Sequence, residues 1–179
     1  MKSSIIAASI ALSLCVGCTS SMSQTSIPQL TAAVSPAPGV VAAGRLKAED
    51  MAQLKEAGIE HVIDLTPDDE TPDFDEANAV RSAGIDYSNL AVRGAADLTR
   101  ENVIAFDRMM SDTKRPVLVH CASGNRVGAM AALRAAWVEG KSEEDAIAIG
   151  KAWGLKGLEP QVRERIRSTP DPQSGASAR

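Results

Sequence analysis

The 179-residue chain is poor in the residues that several common function classes need. It has two histidines, His61 and His120. That is too few for a histidine-rich zinc centre, and no metal or other cofactor is expected. Aromatic residues make up 3% of the chain, and acidic residues outnumber basic ones by 23 to 19. There is no basic stripe with interleaved aromatics, so nucleic acid is not an expected partner. Three cysteines, Cys15, Cys18 and Cys121, cannot supply the paired framework of a disulfide-stapled domain. The one sustained apolar stretch, residues 5–16, is shorter than the roughly 20 residues that cross a bilayer.

That stretch instead has the length of a secretory signal core, with Lys2 ahead of it. It ends in Cys15-Val16-Gly17-Cys18, which resembles the bacterial lipobox, although Cys15 stands where that motif usually has leucine. The resemblance implies a signal peptide over 1–17, lipid on Cys18 and export. The anchor would face the periplasm, on the outer membrane in preference to the inner because Thr19 follows the cysteine. Cys121 is then the one free thiol of the mature chain. Exported domains ordinarily use cysteines in pairs, so an unpaired one is either buried and inert or kept for its reactivity. Residues 18–39 are rich in Ser, Thr, Pro and Ala without a helical or strand period, and read as a flexible tether. Residues 169–179 read as a disordered tail. Residues 40–168 remain as one domain of ordinary size, expected to be monomeric.

Within that domain helical and extended patterns alternate. Residues 48–57 place Met51 and Leu54 on one helical face and stop at Gly58, and "HVIDL" follows as a buried strand. A second short helix, 75–83, stops at Gly84 before the strand "IDYSNLAV". The pieces "EAGIEHVIDL" and "SAGIDYSNLAV" repeat one logic of helix, glycine, isoleucine, acid and strand. Thr99 can cap a helix that buries Val103, Phe106 and Met110. "PVLVH" is the most apolar strand and is expected at the centre of the sheet. Further helices are expected at 125–138, after Ser142, and at 158–166. This alternation implies a single-domain α/β fold, a mainly parallel central sheet flanked by helices. Ligands of such sheets bind beyond the carboxyl ends of the strands, which is where Cys121 falls.

The turn Cys121-Ala122-Ser123-Gly124-Asn125-Arg126 has small residues where the backbone must curl tightly. Gly124 can adopt conformations closed to other residues. Successive N–H groups and the start of the following helix then make an anion cradle, and the same field favours a thiolate at Cys121. Arg126 offers a planar fork that matches a phosphate in two-point fashion. Ser123 can donate to the thiolate or to a leaving oxygen. His120 is expected to point back into the structure and brace the loop.

"VLVHCASGNR" resembles the signature loop of the protein tyrosine phosphatase superfamily. More closely, "AAGRLKAEDMAQLKEAGIEHVIDLTPDDE", "AVRSAGIDYSNLAV" and "RPVLVHCASGNRVGAMAAL" resemble the bacterial beta-lactamase-hydrolase-like, phosphatase-like family. The resemblance implies a dual-specificity-phosphatase-like fold and a phosphorylated substrate. It also implies Cys121 as nucleophile through a cysteinyl-phosphate, Arg126 as phosphate clamp, residues Ala122, Ser123, Gly124 and Asn125 as the cradle, and no metal.

Two features differ from the phosphatase pattern. Four residues separate Cys121 from Arg126, where the phosphatase loop usually has five, and a loop of this length is typical of rhodanese sulfurtransferases, which carry a persulfide. Arg93-Gly94 stands where these phosphatases usually carry the acid for the leaving alcohol. Asp97, slightly later, can take that role if its loop folds over the site, or can simply precede the Thr99 cap. A sulfurtransferase or persulfide carrier, and a non-catalytic phospho-ligand-binding module, therefore stand as alternatives to the phosphatase. A solitary cysteine in an apolar strand is most often a small buried hydrophobe. "PDDE", residues 67–70, reads as a polar turn whose carboxylates would repel an anion, and His61 reads as structural.

Overall fold

The computed structural model describes residues 29–168. The expected signal segment, Cys18 and the tail at 169–179 lie outside the described residues. Five strands make one sheet: β1 (Val34–Ala37), β2 (Val40–Ala43), β3 (His61–Asp64), β4 (Asp86–Asn89) and β5 (Val117–His120), in the order β1-β2-β5-β3-β4. β1 and β2 are antiparallel, and the other neighbours are parallel. Six α-helices complete the domain: α1 (Met51–Glu56), α2 (Glu76–Ser82), α3 (Arg100–Asp112), α4 (Asn125–Trp137), α5 (Glu143–Ala152) and α6 (Glu159–Ser168). The expected α/β class and the central position of "PVLVH" are both observed.

Strand alternation divides the core in two. Val117 and Val119 of β5 and Ile63 of β3 pack with Val103 and Phe106 of α3 and Met130 and Leu133 of α4. Leu118 of β5 and Val62 of β3 face the other way, against Leu54 of α1 and Val80 of α2. Neighbouring residues on a strand serve opposite faces because the side-chain period is two. β5 is buried at all four positions, as a central parallel strand covered on both sides must be.

The echo between the two early helices is a shared C-terminal motif. Ile59 N–H donates to the Leu54 carbonyl and Gly58 N–H to Lys55, while Ile85 donates to Val80 and Gly84 to Arg81. Gly58 and Gly84 have φ of 69° and 80°, and the isoleucines that follow are buried. This is the Schellman arrangement, in which a left-handed residue ends a helix and an apolar one closes over it. Thr99 caps α3 by accepting from Asn102 N–H, and Ser142 caps α5 by accepting from Asp145 N–H.

Two segments differ from the sequence expectation. Residues 34–37 of the expected tether form β1, and Leu30 is also buried. β1 carries Ser35 and Pro36, so it has no apolar alternation. It is an edge strand, where a missing N–H is tolerated, and it is ordered by the Pro38-Gly39 turn that places Ala37 opposite Val40. The strand expected over 85–92 is paired only at Asp86–Asn89, because β4 is the opposite edge and its continuation turns toward the cysteine loop. α5 lies unusually close to α4. A Cβ on Gly128 would sit 2.6 Å from the Gly150 carbonyl, so the two glycines are what let the backbones approach.

Candidate active site

Parallel register brings Ala43, His120, Asp64 and Asn89 side by side at the carboxyl edge of the sheet. The cysteine turn starts one residue beyond. Leu65 N–H donates to the His120 carbonyl and Arg45 N–H to that of Ala122, so the turn is pinned from both neighbouring strands. Gly124 has φ 80° and ψ −16°, a left-handed conformation that a glycine adopts at little cost, and it begins α4. α2, α3 and α5 each receive a side-chain cap from Asp75, Thr99 and Ser142, whereas α4 has none. The first-turn N–H groups of α4 are thereby left for an anion, at the positive end of the helix.

Arg126 is buried in the first turn of α4. Its Nη1 donates to Glu70 Oε1 (2.8 Å) and to the Val92 carbonyl (2.7 Å), and Nη2 donates to Glu70 Oε2 (2.7 Å). Nε takes part in none of these bonds, and the guanidinium also interacts with the Cys121 sulfur. Burial works against its charge, but the hydrogen bonds and charge of Glu70, together with Cys121, hold its pKa above the usual arginine value. Hydrogen bonding from Arg126 in turn holds the Glu70 carboxyl below the usual glutamate range, against the effect of burial.

The "PDDE" turn thus has a role that its charge alone argued against. Asp68–Glu70 forms a short 3-10 turn after β3. Arg45 Nη1 donates to the Glu70 carbonyl, Arg93 Nη1 pairs with Asp69 at 2.9 Å, and Arg126 takes the Glu70 carboxylate. Its negative charge is met by arginines from three separate segments, and the Glu70 carboxylate fixes the orientation of the Arg126 guanidinium. The sequence signal available was an acid shortly after a strand that ends beside the cysteine strand.

The other expected site residues fall as follows. Cys121 is fully buried against Val119 and Val127, so no solvent reaches its sulfur in this arrangement. Ala122 is half-buried and Ser123 exposed. The Asn125 side chain turns away from the cradle, because its Oδ1 accepts from Lys156 and Leu158 N–H and ties the α5–α6 connection to the turn. Asp97 lies in a 3-10 turn, and its Oδ2 accepts from Arg93 N–H at 2.7 Å, one residue past the Val92 carbonyl that holds Arg126. The loop carrying Asp97 therefore touches the clamp. His120 is buried and turned toward α2, 2.6 Å from Glu76 Oε1 and 3.4 Å from Asp64 Oδ1. His61, at the other end of β3, bonds Thr113 and Ser88.

The model of the phosphatase-like domain of beta-lactamase hydrolase-like proteins matches residues 29–138. The chain belongs to this family. A beta-lactamase hydrolase-like protein of Xylella fastidiosa (strain Temecula1) is 32% identical over 118 residues, which cover 63% of this chain and 27% of that protein. The match thus spans about a quarter of the curated relative. A solved candidate phosphatase from Neisseria meningitidis is 26% identical with a TM-score of 0.65, covering 77% of this chain and 98% of its own. TpbA of P. aeruginosa, solved in complex with pTyr, shares the fold at 19% identity and a TM-score of 0.58, over 79% of this chain and 83% of its own. The family match begins at residue 29, which agrees with a folded domain that includes β1. The family is that of a phosphatase-like domain, and the fold is shared with solved phosphatases.

Proposed function

We propose that the domain is a cysteine-dependent phosphoric monoester hydrolase of the tyrosine/dual-specificity type. Cys121 Sγ, as thiolate, attacks phosphorus; an S–P bond forms as the ester P–O bond breaks. The leaving oxygen takes a proton, for which Asp97 is the acid. Water then attacks phosphorus of the cysteinyl-phosphate as the S–P bond breaks; its proton passes to the Asp97 carboxylate, inorganic phosphate leaves and the thiolate is restored. Arg126 and the uncapped N–H groups of α4 carry the charge of the transferred group. The observation behind this reading is the placement of Arg126: Glu70 and Val92 hold its Nη atoms, and its guanidinium lies close enough to Cys121 for the two charges to interact. Because Cys121 is buried, the turn or the Glu70 loop has to move before a phosphoryl group reaches the sulfur.

The four-residue Cys-to-Arg spacing favours one alternative, sulfur transfer. Purified protein assayed with an aryl phosphate, and separately with thiosulfate and cyanide, separates the readings. Phosphate release is expected. Thiocyanate alone would assign the loop to a persulfide, and neither product would leave a phospho-ligand-binding module. We also propose that the chain is exported and anchored through Cys18. Wild type is expected to stay with membranes through a high-salt wash, and Cys18→Ala to lose that anchoring; a wholly soluble wild type refutes it.

A further inference from the structure

Behind the cysteine turn, on the α1/α2 face of the sheet, lies a cluster that the proposed phosphatase chemistry does not use. Asp64 ends β3, His120 ends β5 and Glu76 opens α2. All three are at least nine-tenths buried, with exposures of 4%, 1% and 5%. One ligand atom from each lies within 4.8 Å of the others.

The cluster is not a finished hydrogen-bond network. Nε2 of His120 and Oε1 of Glu76 lie 2.6 Å apart but out of line for a hydrogen bond. Neither of those two atoms, nor Nδ1 of His120, has a hydrogen-bond partner. Buried polar atoms are seldom left so. The charges do not balance either. Two buried carboxylates with a neutral imidazole carry two negative charges, and with an imidazolium still one, in surroundings where an uncompensated charge is costly. A divalent cation brings the sum to zero.

Two further observations point to a cation. A cleft of about 280 Å³ opens onto the cluster; its walls carry the carboxylates of Asp64, Asp68, Asp75 and Glu76 and no lysine or arginine. Asp64 is also oriented by its neighbours: Thr66 N–H donates to Oδ1, and Tyr87 O–H and Asn89 Nδ2 donate to Oδ2. Ligating carboxylates are typically held by such outer hydrogen bonds. The 3.4 Å from Nε2 to Asp64 Oδ1 suits two ligands each about 2.0–2.2 Å from one ion, and a small turn of the Glu76 side chain opens the shorter spacing.

We propose that Asp64, Glu76 and His120 form a buried divalent-cation site that braces the start of the cysteine turn. One imidazole and two carboxylates suit manganese, iron or zinc better than calcium, with the remaining coordination positions facing the cleft. The ion ties β3, β5 and α2 together one residue before Cys121. It takes no part in cysteine chemistry, so the site stands or falls separately from the phosphatase reading.

The test uses the full chain, stripped with a chelator and titrated with Mn²⁺, which thiolates bind weakly; free ion is followed by its electron spin resonance. One ion per chain is expected to bind saturably, with affinity at least about tenfold weaker in Glu76→Gln and in Asp64→Asn. Should those variants fail to fold, the wild type alone decides. The chain has two histidines, and Zn²⁺, which is diamagnetic and acts on the ring it ligates, should shift the ring signals of His120 on saturation while leaving those of His61, three residues from Asp64 along β3, nearly unmoved. Absence of saturable binding, equal affinity in folded Glu76→Gln, or equal Zn²⁺-induced shifts at both histidines overturns the proposal.

Discussion

His120 and Cys121 are joined by one peptide bond and look into opposite fields. His120 turns to the α1/α2 side, among Asp64 and Glu76 and beside a cleft walled by carboxylates. Cys121 packs on the α3/α4 side, beside Arg126 and the uncapped start of α4. The alternation of a strand is enough to separate an acidic pocket from an anion cradle. The two sides do not mix because β5 is the central strand, buried along its whole length. The difference teaches that charge repulsion read from sequence is a poor guide near a sheet edge. Glu70, an acid, sits on the cysteine-turn side because arginines surround it, whereas Glu76, six residues on, lies on the opposite face.

The largest effects should come from breaking the Cys121 side. Cys121→Ser is expected to lower turnover by roughly 10³-fold or more, the scale of a lost nucleophile. Arg126→Lys should cost about 10²–10³-fold in kcat, as for loss of a transition-state donor, since an ammonium cannot bond Glu70, Val92 and a phosphate together. Both should melt within a few degrees of wild type, which calorimetry checks. Near-normal rates in either would remove the assigned role.

An intermediate effect sharpens the comparison. Glu70→Gln should reduce kcat about tenfold, with KM changed less, by loosening the clamp; a faster enzyme would instead identify Glu70 as a plug over Arg126. The pair also has a pH signature. Arg126 depresses the folded-state pKa of Glu70 below its reference of 4.5. The stability this contributes is therefore present above that reference and is lost as pH falls through the lower folded value. Denaturant curves should show wild type more stable than Glu70→Gln near neutrality, with the gap closing in acid. A gap that widens as pH falls contradicts the pairing.

The smallest effect belongs to a helix start with no site. Thr99→Ala should cost about 1 kcal/mol of stability by removing the α3 cap, with kcat unchanged. Loss of activity beyond loss of folded protein would show that α3 helps hold the Asp97 loop.

What the sequence by itself determined is local. The glycine ends of α1 and α2, the Thr99 and Ser142 caps, the apolar β5 and the curl at Gly124 each depend on residues within a few positions of one another. The family resemblance of the cysteine loop was legible for the same reason. Tertiary structure decided the rest. Glu70 and Arg126 are 56 residues apart and meet because β3 and β5 are parallel neighbours with both carboxyl ends at one edge. Register alone places Asp64 beside His120, and the Asp75–Asn78 cap at the start of α2 sets Glu76 over them. β1, with a proline and no apolar alternation, becomes a strand only because β2 offers it an edge. A pattern shows which residues want burial or a turn; only pairing and packing choose the partner that neutralises a buried charge.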